Sequence, residues 1–349
     1  MRENVIMKKF LTLSIILSLF LFLAGCGGNS QKNVSSNSTS QNKTDVSLAL
    51  LRLTSSAPLF IAMDKGYFAE ENLAVTPQWF DAAQPIAVAT ASGKVDVGAT
   101  GITASLYNMA AAGQKLAIVA DKGREEKGFP SSALLVTTNL YDSGITSVPD
   151  IKGKRIGITQ KGSTFHYMLG RILETKGLTL DDVTVVPLGK LSAVMAALQS
   201  GQIDGCILNE PNITKVNAAG YGKTIVQIGD VIPYQTSGIF FSPSFAEKQD
   251  VAVRFMRAYV KACNYYYDNA IKNTSPAKKT EIIQIIAKYT NSPEADVQLG
   301  LPYIDRSGKL LVSDIQTQID WYRAHDMLQG DLKASQIVDT KFLEEALKK

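Results

Sequence analysis

Short polar turns that stand in front of predicted helices are the first candidates for chemistry in this sequence. Gly162, Ser163 and Thr164 precede a helix, so backbone N–H groups and hydroxyls there could hold an anion. Thr54 and Ser55 stand in the same way before the first predicted helix. The alternative in both places is a plain helix cap that serves only its own helix. The residue types leave both interpretations open.

Carboxylates and an aromatic ring form a second set of candidates at predicted strand ends. Glu210 follows an apolar strand, and a carboxylate there needs either a cationic ligand or a salt bridge to Lys190 or Lys122. Trp79 ends another strand, where its ring could stack on a planar ligand or pack in the core. Two further carboxylates occupy similar positions: Asp81 and Asp121.

Catalysis finds little support in the residue types. The pairs Cys206/His166 and Ser163/His166 could in principle supply a nucleophile and a base. Cys206, however, lies in the middle of a predicted strand, and no G-x-S-x-G motif occurs. His166 therefore remains a candidate ligand donor or an idle residue on a helix face. We predict that Cys206 and Cys263 are separate buried thiols.

Composition argues against metal and nucleic-acid binding. Three cysteines and two histidines, none at the spacings of a zinc motif, predict no metal site. The 36 Lys and Arg residues are interspersed with 32 Asp and Glu residues, for a formal net charge of +4. Because a nucleic-acid-binding face needs clustered basic residues, no nucleic-acid partner is expected, and nothing calls for a cofactor.

Alternating apolar strands and helices surround the candidate residues. One series runs over positions 46–138, a second over 155–208, and the chain after position 241 is mainly helical. With 349 residues, 45% of them hydrophobic, the chain is long enough for a substantial core. The pattern predicts an α/β protein built from two sheets with covering helices.

An internal comparison supports two related units. Segments 75–96 and 183–204 align without a gap, and six of the 22 aligned positions are identical. The alternative is that any two strand-helix-strand segments with a glycine stop look alike. In either case Thr100, Gly101 and Asn209 would lie at equivalent strand ends and face each other across a cleft, since ligands bind at the carboxyl ends of such strands.

The N-terminus is typical of an export signal. Positions 1–25 combine a basic start with a mainly apolar run from Phe10 to Leu23, which is too short to span a bilayer as a helix. The following Leu-Ala-Gly-Cys resembles a lipobox, whose cysteine, here Cys26, is acylated; the alternative is an ordinary signal peptide. Positions 26–45 are mostly Gly, Asn, Ser, Gln, Lys and Thr and predict a disordered tether. We expect an extracytoplasmic protein that is lipid-anchored to the cell membrane.

Four ordered motifs carry a resemblance to a known family. They begin at Pro58 (PLFIAMDKGYFAEENL), Ser92 (SGKVDVG), Asp150 (DIKGKRIGI) and Ser200 (SGQID). With these motifs the chain resembles, over about positions 46–345, the nitrate/sulfonate/taurine and thiamine-precursor group of ABC-importer solute-binding proteins.

The resemblance implies a two-lobed α/β fold of the type II periplasmic-binding-protein kind, with two interlobe crossings and a helical C-terminal extension. The first lobe would comprise segments 46–135 and 238–349, and the second lobe would comprise segment 136–237. The crossings would be 132–138 and 236–241. The resemblance also implies a monomer whose lobes close on one small solute before it docks on an ABC permease with its ATPase.

The identity of the solute stays open between two classes. A sulfonate or nitrate-type anion suits the helix N-termini, whereas a planar amino-heterocycle such as a thiamine-precursor pyrimidine suits Trp79, Asp81 and Glu210, and we favour the heterocycle. Thiamine-pyrimidine synthases of the same superfamily carry a cysteine-rich motif that this sequence lacks, so we do not expect an enzyme. A lipoprotein that presents its closed state to a sensor is the remaining alternative.

Overall fold

The computed structural model describes residues 43–348. Its strands are β1 (Thr44–Leu51), β2 (Leu73–Phe80), β3 (Val97–Gly101), β4 (Ala117–Glu125), β5 (Ser132–Thr137), β6 (Arg155–Ile158), β7 (Thr184–Pro187), β8 (Gly205–Asn209), β9 (Gly222–Gln227) and β10 (Tyr234–Phe241). The predicted signal peptide over 1–25, Cys26 and most of the predicted tether over 26–45 lie outside the described residues. The tether prediction runs slightly too far, because β1 already begins at Thr44.

Helices cover both faces of the sheets and dominate the C-terminal part. They are α1 (Ala57–Asp64), α2 (Tyr67–Glu70), α3 (Ala83–Ala91), α4 (Ala104–Ala111), α5 (Thr138–Asp142), α6 (Thr164–Glu174), α7 (Leu191–Gln199), α8 (Asn212–Ala218), α9 (Pro243–Ala246), α10 (Gln249–Tyr266), α11 (Pro276–Thr290), α12 (Glu294–Leu299), α13 (Val312–Ala324) and α14 (Lys341–Leu347). None of the helices in segment 43–348 is both long and apolar enough to cross a bilayer.

Two five-stranded sheets share one internal plan. The first has the order β2-β1-β3-β10-β4 and the second the order β7-β6-β8-β5-β9. In each sheet the first three strands are parallel, and the fourth is antiparallel to both neighbours. That antiparallel strand is the one that enters from the other sheet. The predicted α/β fold with two crossings and a helical C-terminal extension is confirmed.

The internal repeat is visible in the elements themselves. The bounds of β3 and β8, and those of α3 and α7, differ at both ends by the same offset that aligns segments 75–96 and 183–204. Even a structural hydrogen bond recurs: the Ser47 N–H donates to Asp96 Oδ2 at 2.8 Å, and the equivalent Arg155 N–H donates to Asp204 Oδ2 at 2.8 Å. We call β1–β4 and β10 with their helices the first lobe, and β5–β9 with α5–α8 the second lobe.

The two connections between the lobes lie outside the segments predicted for them. Segment 126–131 leads from β4 to β5, and segment 228–233 leads from β9 to β10. The predicted crossings at 132–138 and 236–241 are instead strands, β5 and β10, each paired within one sheet. The predicted lobe boundary after position 135 therefore cuts through β5. An apolar strand has the same sequence pattern whether it follows a crossing or forms it, so the pattern could not place the boundary.

One hydrophobic core joins the two lobes. It contains Phe240 from β10 in the first sheet and Ile156 from β6 in the second. Trp321 and Tyr322 from α13 belong to the same core. The C-terminal helix α13, which the sequence assigned to the first lobe, thus packs against the second lobe as well.

Candidate functional site

A cavity of about 50 Å³ lies between the lobes, where strands of both sheets end. The first lobe contributes Leu51, Leu53, Ser55, Ala82, Ala83, Thr100, Gly101, Lys122, Gly123, Thr236 and Ser237 to its lining. The second lobe and the connection leading to it contribute Ser131, Thr159, Ser163, Thr164, Phe165, Leu191 and Asn209. The cleft expected at the carboxyl ends of the strands is therefore present and enclosed by residues from both lobes.

Backbone hydrogen bonds hold the lobes together around this cavity. The Ala104 N–H donates to the Gly162 carbonyl oxygen at 2.9 Å, and the Leu191 N–H donates to that of Asp81 at 3.4 Å. A third bond runs from the Thr54 N–H to the Glu210 carbonyl oxygen at 3.3 Å, and the Thr54 hydroxyl donates to the same oxygen at 3.4 Å. Such bonds can form only when the lobes are closed.

Five of the polar residues that the sequence placed at turns and strand ends line the cavity. Ser55 and Ser163 are equivalent in the repeat and enter from opposite lobes. The hydroxyl of Thr100 is buried without a hydrogen-bond partner in the described chain, which leaves it free for a ligand. The other predicted residues in the lining are Gly101, Thr164 and Asn209.

Helix α6 presents its N-terminus at the cavity wall. Ser163 is its N-cap, with a hydroxyl that accepts from the His166 N–H at 3.3 Å. The capping interpretation therefore holds for this hydroxyl, while Ser163 and Thr164 also line the cavity. The partial positive charge of a helix N-terminus favours an anionic ligand at this wall.

Lys122 is the charged lining residue that sequence reasoning missed. Its side chain lines the cavity, is only 1% exposed and donates to the Ser55 hydroxyl at 2.9 Å. Burial lowers the pKa of Lys122 to about 7, against the opposing effect of the Asp121 charge. The predicted strand ended at Asp121, whereas β4 continues to Glu125, so Lys122 was assigned to a loop and left out of the candidate site.

The Glu210 carboxylate points away from the cavity. Its Oε2 accepts from the Thr214 N–H at 3.2 Å, and its side chain packs beside Gly300, after α12. Burial raises the pKa of Glu210. No ion pair joins it to Lys190 or Lys122 within the described chain, so the structure supports neither sequence interpretation of this carboxylate.

The other two predicted carboxylates are also absent from the lining. Asp121 is fully buried, and its carboxylate accepts from the N–H groups of Gly123 and Asp305 at 2.7 Å and from the Gln235 amide at 2.6 Å. Burial raises its pKa, although these hydrogen bonds oppose the shift. Asp81 is exposed and takes part in lobe contact through its backbone carbonyl.

Trp79 packs at the edge of the first sheet rather than at the ligand cavity. It lies on β2, the outermost strand, with the Arg52 guanidinium 3.9 Å from its ring centre. Its other neighbours are the rings of Phe60 and Tyr289, at 6.1 and 6.3 Å. The sequence showed that Trp79 ends a strand, but not that the strand lies at the sheet edge.

His166, Gly162 and Thr54 support the site without lining it. His166 Nδ1 accepts from the Gly162 N–H at 3.0 Å. Burial, with the nearby charges of Lys161 and His325, lowers the pKa of His166 to about 4. The imidazole is therefore neutral near pH 7 and shapes the turn before α6. Thr54 donates hydrogen bonds to the Glu210 carbonyl oxygen of the second lobe, as described above.

A buried carboxylate ties the lobe connections to the cavity. Glu125, at the end of β4, accepts from the Ser132 hydroxyl at 2.6 Å and from the Thr236 hydroxyl at 3.3 Å. Burial raises the pKa of Glu125 to about 7. Asn209, in the lining, donates to the Ser132 hydroxyl at 3.4 Å. The strands β5 and β10 thus meet at one side chain, which fixes their relative position.

Comparisons with known proteins agree with this architecture. The family described as "NMT1/THI5 like" matches residues 53–270. A protein of Brachyspira hyodysenteriae described as a putative ABC transporter periplasmic binding protein is 22% identical over 373 residues, covering 99% of this chain and 100% of that protein. The 4-amino-5-hydroxymethyl-2-methylpyrimidine phosphate synthase of Aspergillus parasiticus is 31% identical, but over only 43% of this chain and 41% of the enzyme.

Solved structures show the same fold. The alkanesulfonate-binding protein SsuA from Xanthomonas axonopodis pv. citri, bound to MOPS, matches with a TM-score of 0.70 at 21% identity, covering 85% of this chain and 99% of that one. The nitrate-binding protein NrtA from Synechocystis PCC 6803 matches with a TM-score of 0.73 at 14% identity, covering 88% and 89%.

Proposed function

Because this chain belongs to the NMT1/THI5-like family, we propose that it is an extracytoplasmic solute-binding protein that encloses a small oxyanion between its lobes. It then delivers the anion to an ABC permease and its ATPase. The relative from Brachyspira hyodysenteriae, similar over its full length, supports this role. The likeness to sulfonate- and nitrate-binding proteins supports the class of solute.

The observation that carries the proposal is the charge of the cavity lining. Among the described residues that line it, Lys122 is the one basic side chain, and none is acidic or a histidine. Around it stand neutral donors, including the unpartnered Thr100 hydroxyl and the Ser55 hydroxyl. An ammonium and several hydroxyls in a buried site form charge-assisted hydrogen bonds with an oxyanion.

The residues that favoured a heterocycle in the sequence lie outside this cavity. Trp79 cannot stack on a ligand in this cavity, and Asp81 and Glu210 offer it no carboxylate. The cavity volume of about 50 Å³ holds on the order of four water-sized groups. That size suits nitrate, bicarbonate or the head of a small sulfonate.

Binding without catalysis fits the site chemistry. Cys206 and Cys263 are both free and buried, as predicted, and neither lines the cavity. Burial also raises the pKa of the Cys206 thiol far above its usual range, which suppresses the thiolate. A candidate Ser163/His166 pair fails too, because His166 Nδ1 accepts from a backbone N–H and its ring lies outside the lining.

The same proposal extends to the location of the protein. It would act as a monomer, held at the outer face of the cell membrane by a lipid on Cys26. The N-terminal sequence motif supports the anchor, and the cavity, complete within one chain, supports the monomer.

A thermal-shift screen of the purified protein tests the class of solute. Nitrate, bicarbonate and short alkanesulfonates should each be compared with aminopyrimidines in a buffer free of sulfonates. A true ligand at 100 times its Kd stabilises the folded state by ~2.7 kcal/mol, seen as several degrees. We expect a shift with at least one oxyanion. A thermal shift with aminopyrimidines alone would overturn the oxyanion assignment. No shift with any compound would overturn the binding role.

A further inference from the structure

Lys122 faces the cavity and pairs with no carboxylate within residues 43–348, although the neighbouring Asp121 charge acts on it. It is 1% exposed and makes no ion pair in the described part of the chain. Its hydrogen-bond partner there is the neutral Ser55 hydroxyl. Because an uncompensated charge in a buried site is costly, the amine form is favoured above about pH 7 while the cavity holds no anion.

The charged groups around Lys122 are occupied elsewhere. On its own strand, the Asp121 carboxylate accepts from Gly123, Gln235 and Asp305, and that of Glu125 accepts from Ser132 and Thr236. The strand β10 presents Thr236 and Ser237 to the cavity, and the turn after β1 presents Ser55, all neutral. The segment that packs outside β4 presents Asp305, whose carboxylate accepts from the N–H groups of Ser307 and Lys309.

We propose that capture of a monoanion in this cavity takes up one proton from the solvent, which converts Lys122 from an amine into an ammonium that faces the anion. The inference rests on the proposed function. In the step, the lone pair of the Lys122 nitrogen forms an N–H bond with a proton delivered by water or buffer, and no other bond breaks in the protein. Release of the anion returns the proton.

The consequence is a receptor that takes up an anion and a proton together. The bound monoanion and the new ammonium neutralise each other inside the closed cleft, so closure buries no net charge. The lowered pKa of Lys122, about 7, agrees with this view, since a nearby anion moves it back up. A dianion would leave one charge uncompensated, which selects against sulfate and hydrogen phosphate.

The test is a pH-stat titration with nitrate and with methanesulfonate, two anions that do not titrate between pH 5 and 9. Adding either to the protein at pH 8.5 should consume close to one proton per bound anion, and close to none at pH 5.5. Affinity should fall about tenfold for each pH unit above 7, following the protonated fraction of Lys122.

Three variants separate the sources of the proton. Lys122→Met should abolish the uptake, while Lys190→Met, which removes an exposed lysine beside Leu191, should match the wild type. Glu125→Gln removes the other buried group near the cavity whose pKa is about 7. This variant should keep the proton uptake, because the proton goes to Lys122. Anion binding without proton uptake at pH 8.5 would overturn the inference and leave the proposed function standing. If neither anion binds, and bicarbonate does not either, the proposed function falls and the inference with it.

Discussion

At the scale of single residues, Lys122 lowers the stability of the folded protein while it serves anion binding. In the folded protein its pKa is about 7, while an unfolded lysine titrates near ~10.4. Between those two pH values the unfolded chain binds more protons, so stability rises with pH across that window. Below about pH 7 the folded protein carries the full cost of a buried ammonium. A group that weakens the fold in this way is typical of a functional site.

Replacing Lys122 with Met should therefore stabilise the empty protein and impair its function. At pH 6 we expect the melting temperature of Lys122→Met to exceed that of the wild type, because the buried charge is gone. Its oxyanion affinity should fall more than tenfold, since the charge-assisted bond is lost. Differential scanning fluorimetry and calorimetric titration measure the two effects. Lys190→Met is the control and should change neither, and unchanged affinity in Lys122→Met would remove this lysine from the site.

The site residues that the sequence predicted correctly and those that it misplaced differ in the structural information that each prediction required. Ser55 and Ser163 were predicted from their place before a helix, and Asn209 from its place after a strand, because the carboxyl ends of parallel strands meet at one sheet edge. Glu210 and Trp79 needed the direction of a side chain and the position of a strand within its sheet. A local sequence pattern determines neither the direction of a side chain nor the position of a strand in its sheet.

At the scale of elements, helix α13 packs against helix α6. The Trp321 ring lies 4.9 Å from that of Tyr167, and its Nε1 donates to Glu174 at 2.6 Å. The Tyr322 hydroxyl donates to the Ser163 carbonyl oxygen at 3.2 Å, just where α6 begins at the cavity. The sequence predicted a helix after Ser163 and a mainly helical C-terminal part, but an amphipathic pattern shows that a helix face is buried without showing which element covers it.

Gly170 lets α13 approach α6, and filling it should separate the two helices. A Cβ at this position would lie 2.3 Å from Cζ2 of Trp321. Glycine to alanine in a helix usually stabilises by ~0.5–1 kcal/mol, but overpacking costs about 1–3 kcal/mol. We expect Gly170→Ala to lower the melting temperature by several degrees in a thermal scan. In a Trp321→Leu background the same change should be neutral or stabilising, and equal losses in both backgrounds would disprove the contact.

At the scale of the whole molecule, closure of the cleft depends on how closely the two lobes can approach each other. The repeat places β3 and β8 at equivalent positions, so their ends, at Gly101 and Asn209, meet across the cavity. The sequence predicted this meeting because the two units are related by one offset. The crossings implied by the resemblance, at 132–138 and 236–241, were misplaced, because every apolar strand in the region has the same pattern.

Gly101 is a point of close approach between the lobes at which lobe closure can be tested. A Cβ there would lie 2.7 Å from Cγ2 of Thr164, across the cleft. Gly101→Ala must then rotate a stiff β-branched side chain or hold the lobes apart, and either outcome disturbs the lining. We expect weaker oxyanion binding by about tenfold, the equivalent of ~1.4 kcal/mol.

Thr164→Ser supplies the matched control, because it removes the obstructing methyl and keeps the hydroxyl. Alone it should change affinity little, and combined with Gly101→Ala it should restore most of the lost binding. Small-angle scattering of the free protein should show a larger radius of gyration for Gly101→Ala than for the double variant. If the double variant binds as weakly as Gly101→Ala, the contact between Gly101 and Thr164 does not limit closure, and the backbone bonds from Thr54 and Ala104 would have to set the closed state instead.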